Sequence, residues 1–301
     1  MTVLPSSAAY MAQAIRDVEN PERETFHKFF ECWLVEQDHY LQELISASRK
    51  YKNDHTAAHG HGSPGRASNK SEEQELRSLV ERVIEHYQHY YRVKSQCVKQ
   101  DVLGMLTPSW RSTLEDAFLW IGGWRPTMAF HLLYSKSGLQ LEAALEQLIL
   151  GLSSGDLGDL SPTQLIDADE MQRKTIGEEK QITEDMAKHQ ETVADSSMVE
   201  LSHAVSEMLH TSNRSQSQVG GVDQDEDQEQ RVESVFASKE KGFEDILQRA
   251  DDLRLRTLKG VVHILTPRQA VHFLIAAAEL HLRLHEWGKK KDASERQQDA
   301  Q

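Results

Sequence analysis

Two histidines near the C-terminus have a spacing that suits chemistry. His281 and His285 stand in Leu280-His281-Leu282-Arg283-Leu284-His285-Glu286-Trp287-Gly288. On a helix this spacing sets two imidazoles one turn apart, close to the face of Leu274, Ala277 and Ala278, where leucine is the expected residue. Neutral imidazole is a ligand for iron, zinc and copper. Two ligands on one side of one helix reach adjacent positions on a metal, not the two opposite axial positions of one flat haem. If haem binds, one of the pair is the proximal ligand, and the other orients it, hydrogen-bonds nearby or substitutes for it. The chain holds 15 histidines in 301 residues, so chance supplies roughly one such pair. Spacing alone therefore does not make a site.

The other chemistry-bearing groups have plainer readings. His55, His59 and His61 have ligand-like spacing but sit among Gly60, Gly62, Pro64 and Gly65, which reads as a solvated, His-biased linker rather than a chelate. The run His86-Tyr87-Gln88-His89-Tyr90-Tyr91 spreads rings over several helix faces and reads as packing. Gly122-Gly123 lacks both the phosphate-loop pattern and the dinucleotide-binding pattern, so helix termination is its better account. No Ser-His-Asp or Cys-His ordering stands out and no HExxH occurs, so catalysis has no positive support. Cys32 and Cys97 are too few for a disulfide framework and read as reduced thiols.

The elements that must position these groups are helical nearly throughout. Asn20-Pro21 is a helix start, followed by Phe26, Phe30, Trp33, Leu34, Tyr40, Leu41, Leu44 and Ile45 at three- and four-residue steps. A second long helix carries Leu76, Leu79, Val80, Val83, Ile84, Tyr87, Tyr91, Val93 and Val98. Leu106-Thr107-Pro108, Leu160-Ser161-Pro162 and Leu265-Thr266-Pro267 each offer a hydroxyl cap and a first-turn proline; Gln164 and Gln269 complete capping boxes in the last two. Residues Trp110–Ile121 are expected to form a helix ended by the paired glycines, with further helices from Pro126 and over Leu139–Leu152. A helix runs from Ser161 with weakening apolar content, another over 232–265, and the last from Pro267 to about Gly288. The segment 211–229, rich in acids and poor in apolar residues, is expected to be disordered. No segment alternates as a strand does. The expected fold is a single all-α, bundle-like domain over 21–290, with an N-terminal tail at 1–20, a flexible linker at 52–71, a disordered insert at 211–229 and a C-terminal tail at 291–301.

Composition narrows the partners. The 34 basic and 48 acidic residues leave a net charge of −14, which argues against free-standing nucleic-acid binding. The densest basic run, Lys289-Lys290-Lys291, lies past the last apolar segment. No secretory signal is evident at the start of the sequence. The run Gly260–Pro267 is far short of the ~20 residues of a membrane span. A nuclear or cytoplasmic protein is the expectation.

Phe118-Leu119-Trp120-Ile121-Gly122-Gly123-Trp124-Arg125-Pro126 resembles the signature of the plant Delay of Germination (DOG) domain. Trp33-Leu34-Val35-Glu36-Gln37, Ala250-Asp251-Asp252-Leu253-Arg254-Leu255-Arg256-Thr257-Leu258 and the Leu280–Gly288 run agree in order and spacing, so the resemblance covers about 25–290. The domain is shared by seed-dormancy regulators and by the C-terminal half of TGA-type bZIP transcription factors. A bZIP protein needs a basic helix continuous with a leucine zipper; before Phe26 there are only Arg16 and Arg23. Direct DNA binding is therefore not expected. Similarity of the Leu280–Gly288 segment to the dormancy branch implies haem as cofactor, with His281 and His285 as its candidate ligands. The same branch implies a type 2C protein phosphatase of abscisic acid signalling as partner. Trp33–Gln37 and Tyr91–Ser95 look more like the bZIP branch.

The sequence thus reads as a non-enzymatic plant regulator of dormancy, germination or abscisic acid-linked signalling that acts through partners, with homo-oligomers possible and no membrane association. The alternative is a transcriptional co-regulator that reaches DNA through a bZIP partner.

Overall fold

The computed structural model describes residues 23–57, 66–137, 160–212 and 222–299. In chain order these form α1 (Arg23–Ala57), α2 (Arg66–Val98), the short α3 (Val102–Leu106) and α4 (Thr113–Asp116), and α5 (128–137). Then follow α6 (Pro162–Glu191), a 3₁₀ turn (Thr192–Ala194), α7 (Ser196–Ser212), α8 (Val222–Ile264) and α9 (Pro267–Asp299). The described residues contain no strand, as an all-α domain requires. α9 lies against α1, α2 and α4, while α8 lies against α6, α2 and α3. Among the described residues no helix is long and apolar enough to cross a membrane.

The stripes explain the packing. Phe26, Phe30, Trp33 and Leu44 bury one face of α1 in a core shared with Val83, Tyr87 and Tyr90 of α2 and Phe273 and Leu274 of α9. Gln37 falls in the same stripe and is buried, its amide donating to the Tyr87 hydroxyl at 2.7 Å. Ser161 with Gln164, and Thr266 with Gln269, cap α6 and α9 as expected. The two boxes also meet, Gln164 Nε2 donating to Gln269 Oε1 at 2.8 Å and to the Ile264 carbonyl at 2.9 Å.

The third Leu-Thr-Pro opening departs from expectation. Thr107 closes α3 instead of starting a helix: it precedes Pro108, which disfavours helical backbone, and its N–H and hydroxyl both bond the Leu103 carbonyl. The expected helix over 110–121 shrinks to α4, capped by Ser112 and Glu115. Gly122-Gly123 accordingly terminates no helix. It forms a tight turn in which Trp120 and Gly123 exchange backbone hydrogen bonds of 2.8 and 3.2 Å.

The long helices overrun the expected breaks. α1 reaches Ala57 and α2 begins at Arg66, so only 58–65 of the 52–71 linker lies outside the described residues. Residues 211–212 end α7 and 222–229 begin α8, leaving 213–221 of the 211–229 insert outside them. Neither proline nor glycine interrupts 222–241, so low apolar content alone did not stop the helix. α9 continues through the expected tail to Asp299, with the pairs Glu286–Lys290 and Lys291–Glu295 along its exposed face. The tail at 1–20 and the helix expected at 139–152 lie outside the described residues.

One buried polar cluster joins three of these segments. Lys94 of α2 and Asp251 and Arg254 of α8 occupy positions in apolar stripes and are all buried. Asp251 Oδ1 accepts from Lys94 Nζ at 2.9 Å and Arg254 Nη1 at 2.5 Å. The two cations then hold the 120–124 turn by its carbonyls. Arg254 donates to Trp120, to Ile121 at 2.8 Å and to Trp124 at 2.6 Å, and Lys94 to Gly122 at 2.9 Å. The Trp120 ring also lies 5.2 Å from the Arg254 guanidinium. Burial pulls the Lys94 ammonium down to about 8 against the opposing pull of Asp251.

The glycines are dictated by this clasp. Gly122 has φ +66°, and a Cβ there would stand 2.8 Å from the Met105 carbonyl oxygen. A Cβ on Gly123 would meet the Arg254 guanidinium at 2.7 Å. Asp251→Asn, which strands two buried cations, is expected to cost about 3–5 kcal/mol in urea unfolding. Arg254→Lys is expected to cost a comparable amount, because an ammonium cannot span the same fork of carbonyls. A loss under about 1 kcal/mol for both, the range of an exposed ion pair, would show that the clasp is not a principal constraint.

Candidate functional site

The segment that α8 clasps forms one wall of an internal pocket. Trp33 of α1, Tyr87, Tyr90 and Tyr91 of α2, Phe273, Ala277 and His281 of α9, and Trp124 and Met128 enclose a cavity of about 170 Å³. Arg111 and Glu115 also line it, and the exposed side chains of Phe118 and Leu280 form its rim. Trp124 is held in this wall at both ends. Its carbonyl accepts from Arg254 and its indole N–H donates to the Tyr91 hydroxyl at 2.8 Å.

The structure gives His281 and His285 different surroundings. His281 lines the cavity, half-buried, its ring centroid 5.5 Å from Trp33 and 6.4 Å from Phe30. Desolvation first, and the Arg111 charge second, push its imidazole down to about 4. At neutral pH it is therefore uncharged, the form in which imidazole ligates a metal.

His285 lies outside the cavity lining and is committed to α4. Its Nδ1 stands 3.0 Å from both Glu115 oxygens. Ionised Glu115 only accepts hydrogen bonds, so this nitrogen carries the proton and donates. Ser112 adds bonds to Glu115 from its N–H at 2.9 Å and its hydroxyl at 2.7 Å. Burial by itself would raise the Glu115 carboxyl, but the bonds from His285 and Ser112 outweigh it and hold it near 2. Asp292 reinforces the latch by accepting from the Thr113 N–H at 3.1 Å and hydroxyl at 2.5 Å. Gly288 lets the helices approach, since a Cβ there would collide with Ser112.

The other residues with chemical promise go elsewhere. His86, Tyr87, Tyr90 and Tyr91 are buried, with His86 stacked on Trp33 at 4.7 Å and 2°. Cys32 is half-buried, Cys97 is buried, and both are free thiols. His55 is near the end of α1, whereas His59 and His61 lie outside the described residues. Among the described residues no group of three or more His, Cys, Asp or Glu is placed to hold a metal ion.

Sequence reading missed Lys94, Arg111, Glu115, Asp251 and Arg254. For Lys94, Asp251 and Arg254 a signal was present: a charge inside an apolar helical stripe costs too much to bury unless it has a partner. Arg111 lies just before α4 and Glu115 within its single turn, which is too short for periodicity to mark either.

His281 and Glu115 give acid sensitivity of the same sign. Each has a folded pKa below its unfolded value, so each contributes stability that is complete above the unfolded pKa and lost as pH falls toward the folded one. For His281 the window runs from 6.5 to about 4, on the order of 3 kcal/mol at about 1.4 kcal/mol per unit. Urea midpoints are expected to fall from pH 7 to pH 4 in the native chain and to fall less in His281→Leu. Parallel pH profiles for the two proteins would contradict this placement.

Comparison with known proteins places these features in context. The family model described as DOG1, seed dormancy control, matches residues 57–135. Protein DOG1-like 3 of Arabidopsis thaliana is 32% identical over 228 residues, covering 73% of this chain and 74% of its own. Protein DOG1-like 4 of the same plant is 30% identical over 277 residues, 91% of this chain and 96% of its own. Transcription factor TGA6 of Arabidopsis thaliana is 26% identical over 253 residues, 84% of this chain but 60% of that protein.

Proposed function

This chain belongs to the DOG1-like family of seed dormancy control proteins, and from that premise we propose that it is a non-enzymatic regulator of dormancy, germination or abscisic acid-linked signalling that works by binding partners. The observation that carries this reading is what the family motifs do. The Trp120–Trp124 turn, Asp251 and Arg254 are bonded to one another, and the Leu280–Gly288 run supplies the latch to Glu115. They build a scaffold and leave an aromatic pocket with an exposed rim. A type 2C protein phosphatase is the proposed partner, in the nucleus or the cytoplasm.

The relation to TGA6 across 84% of this chain favours one alternative, a co-regulator that joins a bZIP factor on DNA. In this alternative, DNA contact falls to the bZIP partner. Purified chain is expected to bind a type 2C phosphatase in the micromolar range or tighter, and to leave a TGA-site duplex unshifted when alone. A supershift of a TGA factor on that duplex, with no phosphatase binding, would transfer the proposal to the co-regulator. Absence of both would overturn it.

Haem is a second proposed ligand. The donor chemistry suits it: His281 offers a neutral imidazole among apolar and aromatic walls, and Arg111 brings a cation of the kind that pairs with carboxylates. A cavity of about 170 Å³ is near the ~150 Å³ that holds one benzene, so a porphyrin needs a wider pocket. When bound, haem would supply an iron for sensing a gas or redox state. His281 would hold it, while His285, fixed by Glu115, would orient the helix that carries the ligand. Haem titration is expected to give a saturable Soret shift in the native chain that is lost in His281→Ala. An equal shift in the His281→Ala/His285→Ala double variant would remove the assignment.

A further inference from the structure

The pocket contains a guanidinium, that of Arg111, which no carboxylate among the described residues grips. The Arg111 charge acts on Tyr90 and on exposed Asp116, but among the described residues its buried Nε has no hydrogen-bond partner. Among the described residues no carboxylate forms an ion pair with its guanidinium: Glu115, which lines the same pocket, has its oxygens occupied by His285 and Ser112. A buried donor left unmade costs about 1–3 kcal/mol, and such exceptions in native structures call for a ligand or an ordered water. Guanidinium matches a carboxylate because its N–H groups form a planar fork.

The rest of the pocket sets the shape of the occupant. Trp33, Tyr90, Trp124 and Phe273 supply flat apolar walls, and the void of about 170 Å³ is the size of a single six-membered ring with one small substituent. Apolar walls with a few convergent polar groups are the usual make-up of a small-molecule site. The rim is apolar too: Phe118 is 59% exposed and Leu280 45% exposed, which suits a ligand that enters ring first. We propose that this pocket binds a small aromatic monocarboxylate, with its ring between the aromatic walls and its carboxylate on Arg111. The site needs neither haem nor a protein partner, so its fate is independent of the regulatory reading.

Titration of the full chain with benzoate, benzamide and toluene, followed by calorimetry and by NMR of the tryptophan indole N–H signals, tests the proposal. Benzoate is expected to bind saturably and about tenfold or more tighter than benzamide, with the Trp33 and Trp124 signals moving. Arg111→Gln is expected to erase the preference for benzoate over benzamide. Ala277→Leu fills the cavity without touching Arg111 and is expected to abolish binding of all three compounds. Equal affinities for benzoate and benzamide, unchanged benzoate binding in Ala277→Leu, or no saturation by benzoate in the millimolar range would each overturn it. The comparison of the three compounds on the native chain decides the matter even if a variant fails to fold.

Discussion

Arg254 is the constraint on which the site depends. A guanidinium this deeply buried is tolerated only where charge and hydrogen bonds surround it. Asp251 supplies the charge from one turn before it on α8, and the Trp120–Trp124 turn supplies the carbonyls. Lys94 brings α2 into the same cluster through Asp251 and Gly122. The turn must then be glycine at 122, where φ is positive, and at 123, where the guanidinium fills the space of a Cβ. A single cation thereby explains a stretch of sequence that otherwise reads as a helix stop.

The clasp reaches the pocket through Trp124, which joins its carbonyl to Arg254 and its indole to Tyr91. On the opposite wall, the latch between His285 and Glu115 fixes where α9 lies and hence where His281 points. Two histidines one turn apart thus do different work. His285 spends its Nδ1–H on holding two helices together, while His281 keeps a neutral ring turned toward an apolar space. Glu179 plays a similar structural part on α6, accepting from Arg125 and from Thr127 just before α5. The buried ionic groups of this protein are mainly fasteners for irregular chain between helices.

Much of the fold was legible. The stripes of α1, α2 and α9 and the caps at Ser161 and Thr266 were visible because helical periodicity and capping chemistry are local. The misreadings share a cause. Thr107 and the 110–121 segment carry helix-start signals, yet Pro108 and the demands of Arg254 on the following turn produce irregular chain. The segment at 222–229 was underestimated from its polar composition, although it is continuous with a helix anchored further along by Leu247, Leu258 and Val261.

The residue pattern by itself determined the helical class, the faces that had to be buried and the family motifs. Period and composition also identified His281 and His285 as residues out of place on an apolar face. Only the tertiary structure decided which of the two faces a cavity and which holds α4. It alone paired Lys94 with Asp251, which are 157 residues apart, and left the buried Nε of Arg111 without a hydrogen-bond partner among the described residues. The physical reason is that a helical repeat specifies which side of an element must leave water. The partner met there is set by how distant elements pack, and that partner decides whether a buried polar group is a fastener or a site.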